Sequence, residues 1–238
     1  QHDQAMIELQ EARKLAELLV KKVPAQHLYS SLLVSIRGNL GKLLKDTGRR
    51  QEARQEYVAV RDLRLQLARA VPTSIDFQEQ LAKAHNAYGA MLMGERRTEE
   101  GQKEYDAARA IQQRLVDQFP LVPRYQESLA GSHYNLGIFQ HELGNWQDSR
   151  REYKFAIDLQ RKLVEQHPDM PSYREQVGGS HFNLARLLFQ MNLIPESRAE
   201  YAHARDHYRH LAQAQVKQAN YREKWASAHY GLGIVFKR

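Results

Sequence analysis

The 238-residue chain contains no cysteine. Disulfides, thiolate metal sites and cysteine nucleophiles are therefore excluded, and the absence fits a reducing, cytoplasmic setting. No apolar run reaches the roughly 18 residues a membrane helix needs, and the mean hydropathy is −0.69. Residues 1–10 lack a basic stretch followed by an apolar one, so no signal peptide is read there. Sustained period-two alternation is missing, so no sheet is expected. The signatures of common catalytic sites are missing too: no G-x-S-x-G elbow, P-loop, dinucleotide glycine fingerprint or H-E-x-x-H. His141–Glu142 lacks the second histidine of that last pattern. Carboxylates are abundant but fall at repeating helix positions expected to be exposed, and no acid/base pair stands out. The chain is expected to be no enzyme and to carry no cofactor.

Hydrophobic residues make up 42% of the chain, enough for a sizeable core, and charged residues 26%, as in ordinary soluble proteins. The formal net charge of +7 is compatible with acidic partners, anionic surfaces or nucleic acid. No long Lys/Arg block accompanies it, so it reads as a solvated, mildly basic surface.

Aromatic residues reveal a repeat, the first thing to seek in such a chain. Tyr29, Phe77, Tyr125, Tyr173 and Tyr221 recur at steps of 48, as do Tyr57, Tyr105, Tyr153 and Tyr201. Each tyrosine of the second column follows a glutamate: Glu56, Glu104, Glu152 and Glu200. In the same register stand Arg37, His85, His133, His181 and His229; Gly41, Gly89, Gly137, Ala185 and Gly233; and Leu67, Leu115, Leu163 and Leu211. Pro72, Pro120 and Pro168 form a further column, broken by Val216.

Each unit holds two helical patterns. In the third, Leu129, His133, Leu136, Gly137 and Gln140 share one face of a helix over about 125–143. Gly144 and Asn145 stop it. A second helix over about 146–166 puts Ser149, Tyr153, Ala156, Leu159 and Leu163 on one face. His167 and Pro168 end it, and Pro171 is expected to keep the connection extended. The regularity of the histidine column predicts a packed core position with a satisfied hydrogen bond. The glycine column predicts close helix approach, with the tyrosine ring opposite; its helix-propensity cost of about 1 kcal/mol implies a packing gain.

A single hairpin cannot bury its apolar face alone, so neighbours stack. The expected fold class is all-α, a right-handed α-solenoid of antiparallel helix pairs in one repeat domain over 1–238. Residues 28–75, 76–123, 124–171 and 172–219 form full units, and 220–238 matches a first half. Residues 1–27 match a second half, with Ala5, Leu9, Ala12, Leu15, Leu19 and Pro24 in the columns of Ala53, Tyr57, Val60, Leu63, Leu67 and Pro72. Solenoids end in atypical capping repeats. None is seen, so a longer polypeptide is expected, an expectation overturned if the native product ends at these residues.

The tetratricopeptide (TPR) pattern is W-x2-L-G-x2-Y, then A-x3-F, then P. His133, Leu136, Gly137 and Gln140 occupy its W, L, G and Y positions, and Ser149 and Tyr153 its A and F positions. In the first unit the same positions carry Arg37, Leu40, Gly41, Leu44, Ala53 and Tyr57. The chain thus resembles the TPR family, with the leading Trp and closing Tyr replaced. Its unit is longer than the usual 34 residues, as in the kinesin light chain type. The strings YQESLAGSHYNLG (125–137) and YREQVGGSHFNLA (173–185) resemble TPR regions attached to serine/threonine protein kinases of planctomycete bacteria. No kinase motif is present in the chain itself.

The resemblance implies a protein or peptide partner, bound along the concave face formed by the first helix of each pair. Transferred residue by residue, that face carries Ser35, Asn39, Lys42 and Lys45; Lys83, Asn86 and Ala90; Gly131, Tyr134, Asn135, Ile138 and His141; Gly179, Phe182, Asn183, Arg186 and Phe189; and Tyr230 and Ile234. Asparagine can donate to and accept from a peptide backbone, aromatic rings offer the flat contact enriched at hot spots, and Lys42, Lys45, Lys83 and Arg186 can pair with acidic groups. A second reading stays open: Asn135 and Asn183 bond the adjacent helix, and the aromatics fill the inter-repeat core. The carboxylate clamp of chaperone-binding relatives is not intact, because its lysine and asparagine positions carry Tyr134 and Ile138.

His203, His207 and His210 lie at i, i+4 and i+7, a spacing that can converge on a metal. With only Asp206 adjacent, they read as surface histidines. Nucleic-acid binding is the competing class, since Lys21, Lys22, Arg37, Lys42, Lys45, Arg49 and Arg50 make the N-terminal third basic. A base-per-repeat code needs the same polar pair in each unit, whereas Lys42, Ala90, Ile138 and Arg186 differ. End-to-end self-association through apolar open faces is a third option.

Overall fold

The computed structural model describes residues 2–237. These form ten α-helices and no strand: α1 (His2–Lys22), α2 (His27–Asp46), α3 (Arg50–Ala70), α4 (Ile75–Gly94), α5 (Thr98–Gln118), α6 (Pro123–Glu142), α7 (Trp146–Gln166), α8 (Pro171–Gln190), α9 (Ile194–Ala214) and α10 (Ala219–Phe236). The fold is all-α, as the 3.6-residue periodicity requires. Contacts divide the chain into two compact units, Gln1–Ile111 and Gln112–Arg238.

The stop between the helices of a pair has one design. Gly48 and Gly144 adopt φ of 79° and 78°, and Arg96 and Asn192 take the same left-handed turn at 60° and 59°. The next amide then reaches back to close the helix, as in Asn145 N to Gln140 O at 2.8 Å. The connection between pairs differs from the sequence expectation at one residue. Pro171 is not part of an extended link but opens α8, as Pro123 opens α6. Proline suits that position because its missing N–H is one the first turn leaves unpaired anyway.

Hairpin packing follows the small-plus-aromatic columns. A Cβ added at Gly137 would sit 2.7 Å from the Tyr153 ring, so the two backbones are close enough for Ser149 Oγ to donate to Gly137 O at 2.7 Å. Ser197 Oγ repeats this bond to Ala185 O at 2.8 Å. In the second unit Tyr153, Ile157, Val177, Leu184, Leu187 and Leu188 form one buried cluster. In the first, Met6, Leu40, Leu44, Ala53, Tyr88, Met91 and Leu92 form another.

The glutamate before each tyrosine corrects the expectation that repeating carboxylates are exposed. Glu56 and Glu152 are each only 4% exposed. Each glutamate of the column bonds the histidine or arginine 19 residues before it. Arg37–Glu56 is 2.7 Å, His85–Glu104 2.6 Å, His133–Glu152 2.7 Å and His181–Glu200 2.5 Å. A buried carboxylate requires such a partner, and the column supplies one in every hairpin. An arginine also joins from the preceding pair, Arg13 to Glu56 and Arg61 to Glu104. His229 departs from the expected core position: it is exposed beside Trp225, because no helix of the described chain covers that face of α10.

Candidate functional site

In the second unit the first helices of successive pairs, α6, α8 and α10, approach one another as well as their own partners. Side chains cross between them at a register of 49 residues, one past the repeat. Gln176 Nε2 donates to Glu127 Oε1 at 2.7 Å, and Asn183 Nδ2 donates to Tyr134 Oη at 2.7 Å. His141 and Gln190 make the same step, as do Lys224 and Glu175. Glu127, Tyr134 and His141 are seven residues apart, two helical turns, so this ladder runs along one face.

Beside the ladder lies a pocket of about 650 Å³. Its walls come from the first helices: Glu127, Gly131 and Tyr134 of α6, Glu175, Gln176, Gly179, Phe182 and Asn183 of α8, and Lys224 and Ser227 of α10. The second helices contribute Gln160 of α7 and Tyr208 of α9, which are 3% and 5% exposed. The pocket is open because two wall positions lack side chains. A Cβ at Gly131 would meet nothing within 4 Å, and one at Gly179 only Tyr208 Oη at 3.6 Å. Gln160 Oε1 is buried without a hydrogen-bond partner, a state that costs about 1–3 kcal/mol unless something supplies a donor. Burial pushes the Tyr208 phenol well above its usual range, with Tyr134 and Glu175 adding to the effect. Burial also raises Tyr134, against the bond from Asn183. Both phenols stay protonated at neutral pH.

Of the residues expected on the concave face, Gly131, Tyr134, Gly179, Phe182 and Asn183 line this pocket. Asn183 is engaged with Tyr134, in line with the reading that it bonds the adjacent helix. Phe182 stands edge-on to Tyr201 at 5.5 Å and borders two core clusters. Ile138 packs on the Tyr153 cluster and Phe189 on the Tyr201 cluster. Asn135 and His141 are half-buried, Arg186 is exposed, and Tyr230 is 73% exposed; none of these four lines the pocket. In the first unit Asn39 and Lys42 are exposed, Lys83 pairs with Glu79 at 2.6 Å, and Asn86 is half-buried in the register of Tyr134 rather than Asn135. The sequence reading missed Gln160 and Tyr208 because it searched only first helices. A signal was there: Gln112, Gln160 and Tyr208 are polar residues recurring on an apolar second-helix face.

The α9 histidines divide. His210 and His203 are exposed, whereas His207 is half-buried and stacks on His181 at 5.7 Å, with His203 5.0 Å from the same ring. Among the described residues no cluster of His, Cys, Asp or Glu could hold a metal ion. Burial pulls His207 down to about 4, helped by His181, Arg174 and His203 and opposed by Asp206. The unfolded imidazole titrates near 6.5. Between those values the unfolded chain binds more protons, so stability falls as pH drops from 6.5 to about 4 and the loss is complete below it, about 1–3 kcal/mol. His207→Leu, which installs the residue found at Leu159 one repeat earlier, is expected to flatten that part of the stability profile. An unchanged slope in urea titrations from pH 7 to 4 would refute the assignment.

No protein-family model matches the chain, and no curated protein does. Solved structures do. BtubC (BKLC) from P. vanneervenii superimposes with a TM-score of 0.72 at 16% identity, covering 99% of this chain and 83% of that one. The nearly identical TPR-like repeats of a putative kinesin light chain from Podosopora anserina give a TM-score of 0.52 at 16% identity, covering 90% and 94%. The chain therefore has a TPR-like fold of stacked helix pairs. Among the described residues no helix is long and apolar enough to cross a membrane.

Proposed function

We propose that the chain is a non-catalytic recognition scaffold that binds a peptide or protein segment in the concave groove, centred on the pocket of the second unit, within a larger signalling protein. The observation that carries this is the unpartnered Gln160 side-chain oxygen at a mainly apolar pocket walled by three successive repeats. A few placed polar groups on an apolar surface are what fixes a ligand's orientation. The TPR-like fold supports a binding role by analogy, and the signalling context rests on the two sequence strings alone. Nucleic-acid binding is disfavoured because a base-per-repeat code needs the same polar pair in every unit, and Lys42, Ala90, Ile138 and Arg186 differ at equivalent positions.

Filling the pocket tests the reading without harming the fold. Gly131→Leu/Gly179→Leu places side chains into open space, and leucine is the better helix former by about 0.5–1 kcal/mol per site. In pull-downs from native lysate, a protein retained by the wild type is expected to be lost by this variant at unchanged helicity. Equal retention by both would remove the site from the groove.

A further inference from the structure

The partner's chemistry can be read from what the pocket lacks. We infer that it takes an arginine side chain of a partner peptide, the guanidinium held by Gln160 and Glu127 and the aliphatic stem laid on Phe182. This deepens the groove reading above and rests on it.

The lining presents unengaged acceptors and, among the described residues, no unengaged cation; its phenol and amide donors are neutral. Gln160 Oε1 has no partner, and its amide can turn about a soft terminal torsion to present that oxygen. Glu127 accepts one bond, at Oε1, from the neutral Gln176 amide, and among the described residues no cation pairs with it. The one ammonium in the lining, Lys224, is held by Glu175, whose other oxygen accepts from Tyr221 Oη at 3.2 Å. An acidic ligand would thus find its cation already engaged and meet Glu127 unopposed. A purely apolar ligand would bury Gln160 and Glu127 without compensation. A guanidinium offers five donors in a planar fork and no acceptor, and it stacks on aromatic faces. Phe182 supplies such a face, and the mainly apolar walls suit the methylene stem.

The local field agrees with this. Burial is the main cause of the raised phenols of Tyr208, Tyr221 and Tyr173, and the Glu175 charge adds to the first two and the Glu127 charge to the third. The chain's overall charge of +7 acts over longer range and is screened within about 8 Å at physiological salt, so it affects encounter more than the seated side chain.

The test uses the whole chain and the blocked peptide acetyl-Ala-Leu-Arg-Leu-Ala-amide, with counterparts carrying citrulline, norleucine or glutamate in place of the arginine. Binding is followed by NMR at the Gly131 and Gly179 amides and the Gln160 side-chain amide. The arginine peptide is expected to shift all three saturably, and the three counterparts to bind at least about tenfold more weakly. Citrulline matters most, because it keeps the shape of arginine while removing the charge and replacing one NH2 donor group with a carbonyl acceptor. Glu127→Gln, which can still accept from Gln176, is expected to weaken the arginine peptide about tenfold and leave the norleucine peptide unchanged. Equal affinity for the arginine, citrulline and norleucine peptides, or preference for the glutamate peptide, overturns the inference. The two levels separate cleanly. If Gly131→Leu/Gly179→Leu abolishes partner capture while citrulline binds as well as arginine, only the arginine assignment falls. If that variant captures the partner as the wild type does, the pocket falls with it.

Discussion

Tyr153→Ala is expected to destabilise the second unit by about 3–5 kcal/mol, the usual cost of truncating a large aromatic residue in a core. The side chain is 2% exposed and belongs to the cluster of Ile157, Val177, Leu184, Leu187 and Leu188. Its ring faces Gly137, where even a Cβ would come within 2.7 Å, and lies 6.0 Å from the Tyr134 ring. Glycine has no side chain with which to fill the space, and the Ser149–Gly137 bond fixes the helix separation on that side. The cavity would therefore persist. Tyr153→Phe keeps the ring and is expected to cost no more than about 1.5 kcal/mol. Urea unfolding checks both, since the midpoint should fall while the slope is unchanged. A wild-type midpoint for the alanine variant would refute hairpin packing through the glycine–tyrosine pair.

Glu56→Leu is expected to cost the first unit about 3 kcal/mol. Glu56 is 4% exposed and bonds Arg13 from α1 and Arg37 from α2, the latter at 2.7 Å. Removing it leaves two guanidinium groups, neither able to shed its charge, with only Glu17 as counter-charge, bonded to Arg37 at 2.5 Å and 3.8 Å from Arg13. Their side chains keep 29% and 19% exposure, which lets water soften the repulsion and puts the cost at the lower end of the range for broken buried pairs. Glu200→Leu provides the contrast. Its partner is a histidine, a residue type with a neutral form that arginine lacks, so the same change is expected to cost only about 1–2 kcal/mol. Hydrogen exchange in α1–α3 and α8–α9 reads the two losses separately. A cost at Glu56 no larger than at Glu200 would show that charge is not what the first column position contributes.

Much of this was visible in the residue order. The 48-residue spacing of Tyr57, Tyr105, Tyr153 and Tyr201 against Gly41, Gly89, Gly137 and Ala185 predicts which helices pair, and α2 and α6 stop where Gly48 and Gly144 allow a left-handed turn. The stripe beside the core also pointed to Tyr134, Phe182 and Asn183, because residues three and four apart share a helix face whatever the tertiary context. The histidine column was legible as a packed position at His85, His133 and His181, though not at the exposed His229, and its partner was not legible. Nothing within one helix says that the glutamate preceding each tyrosine turns inward to meet a histidine 19 residues earlier.

The sequence by itself determined the elements: ten amphipathic helices, their stops and their pairing, all set by local periodicity and by side-chain size at fixed repeat positions. The tertiary structure alone decided which side chains meet between helices. The 49-residue register that joins Asn183 to Tyr134, the burial of Glu56 and Glu152, and the entry of Gln160 and Tyr208 into a pocket lined by first helices all depend on the crossing and offset of packed helices. Those are properties of two or more surfaces in contact, and the spacing along any single helix does not contain them.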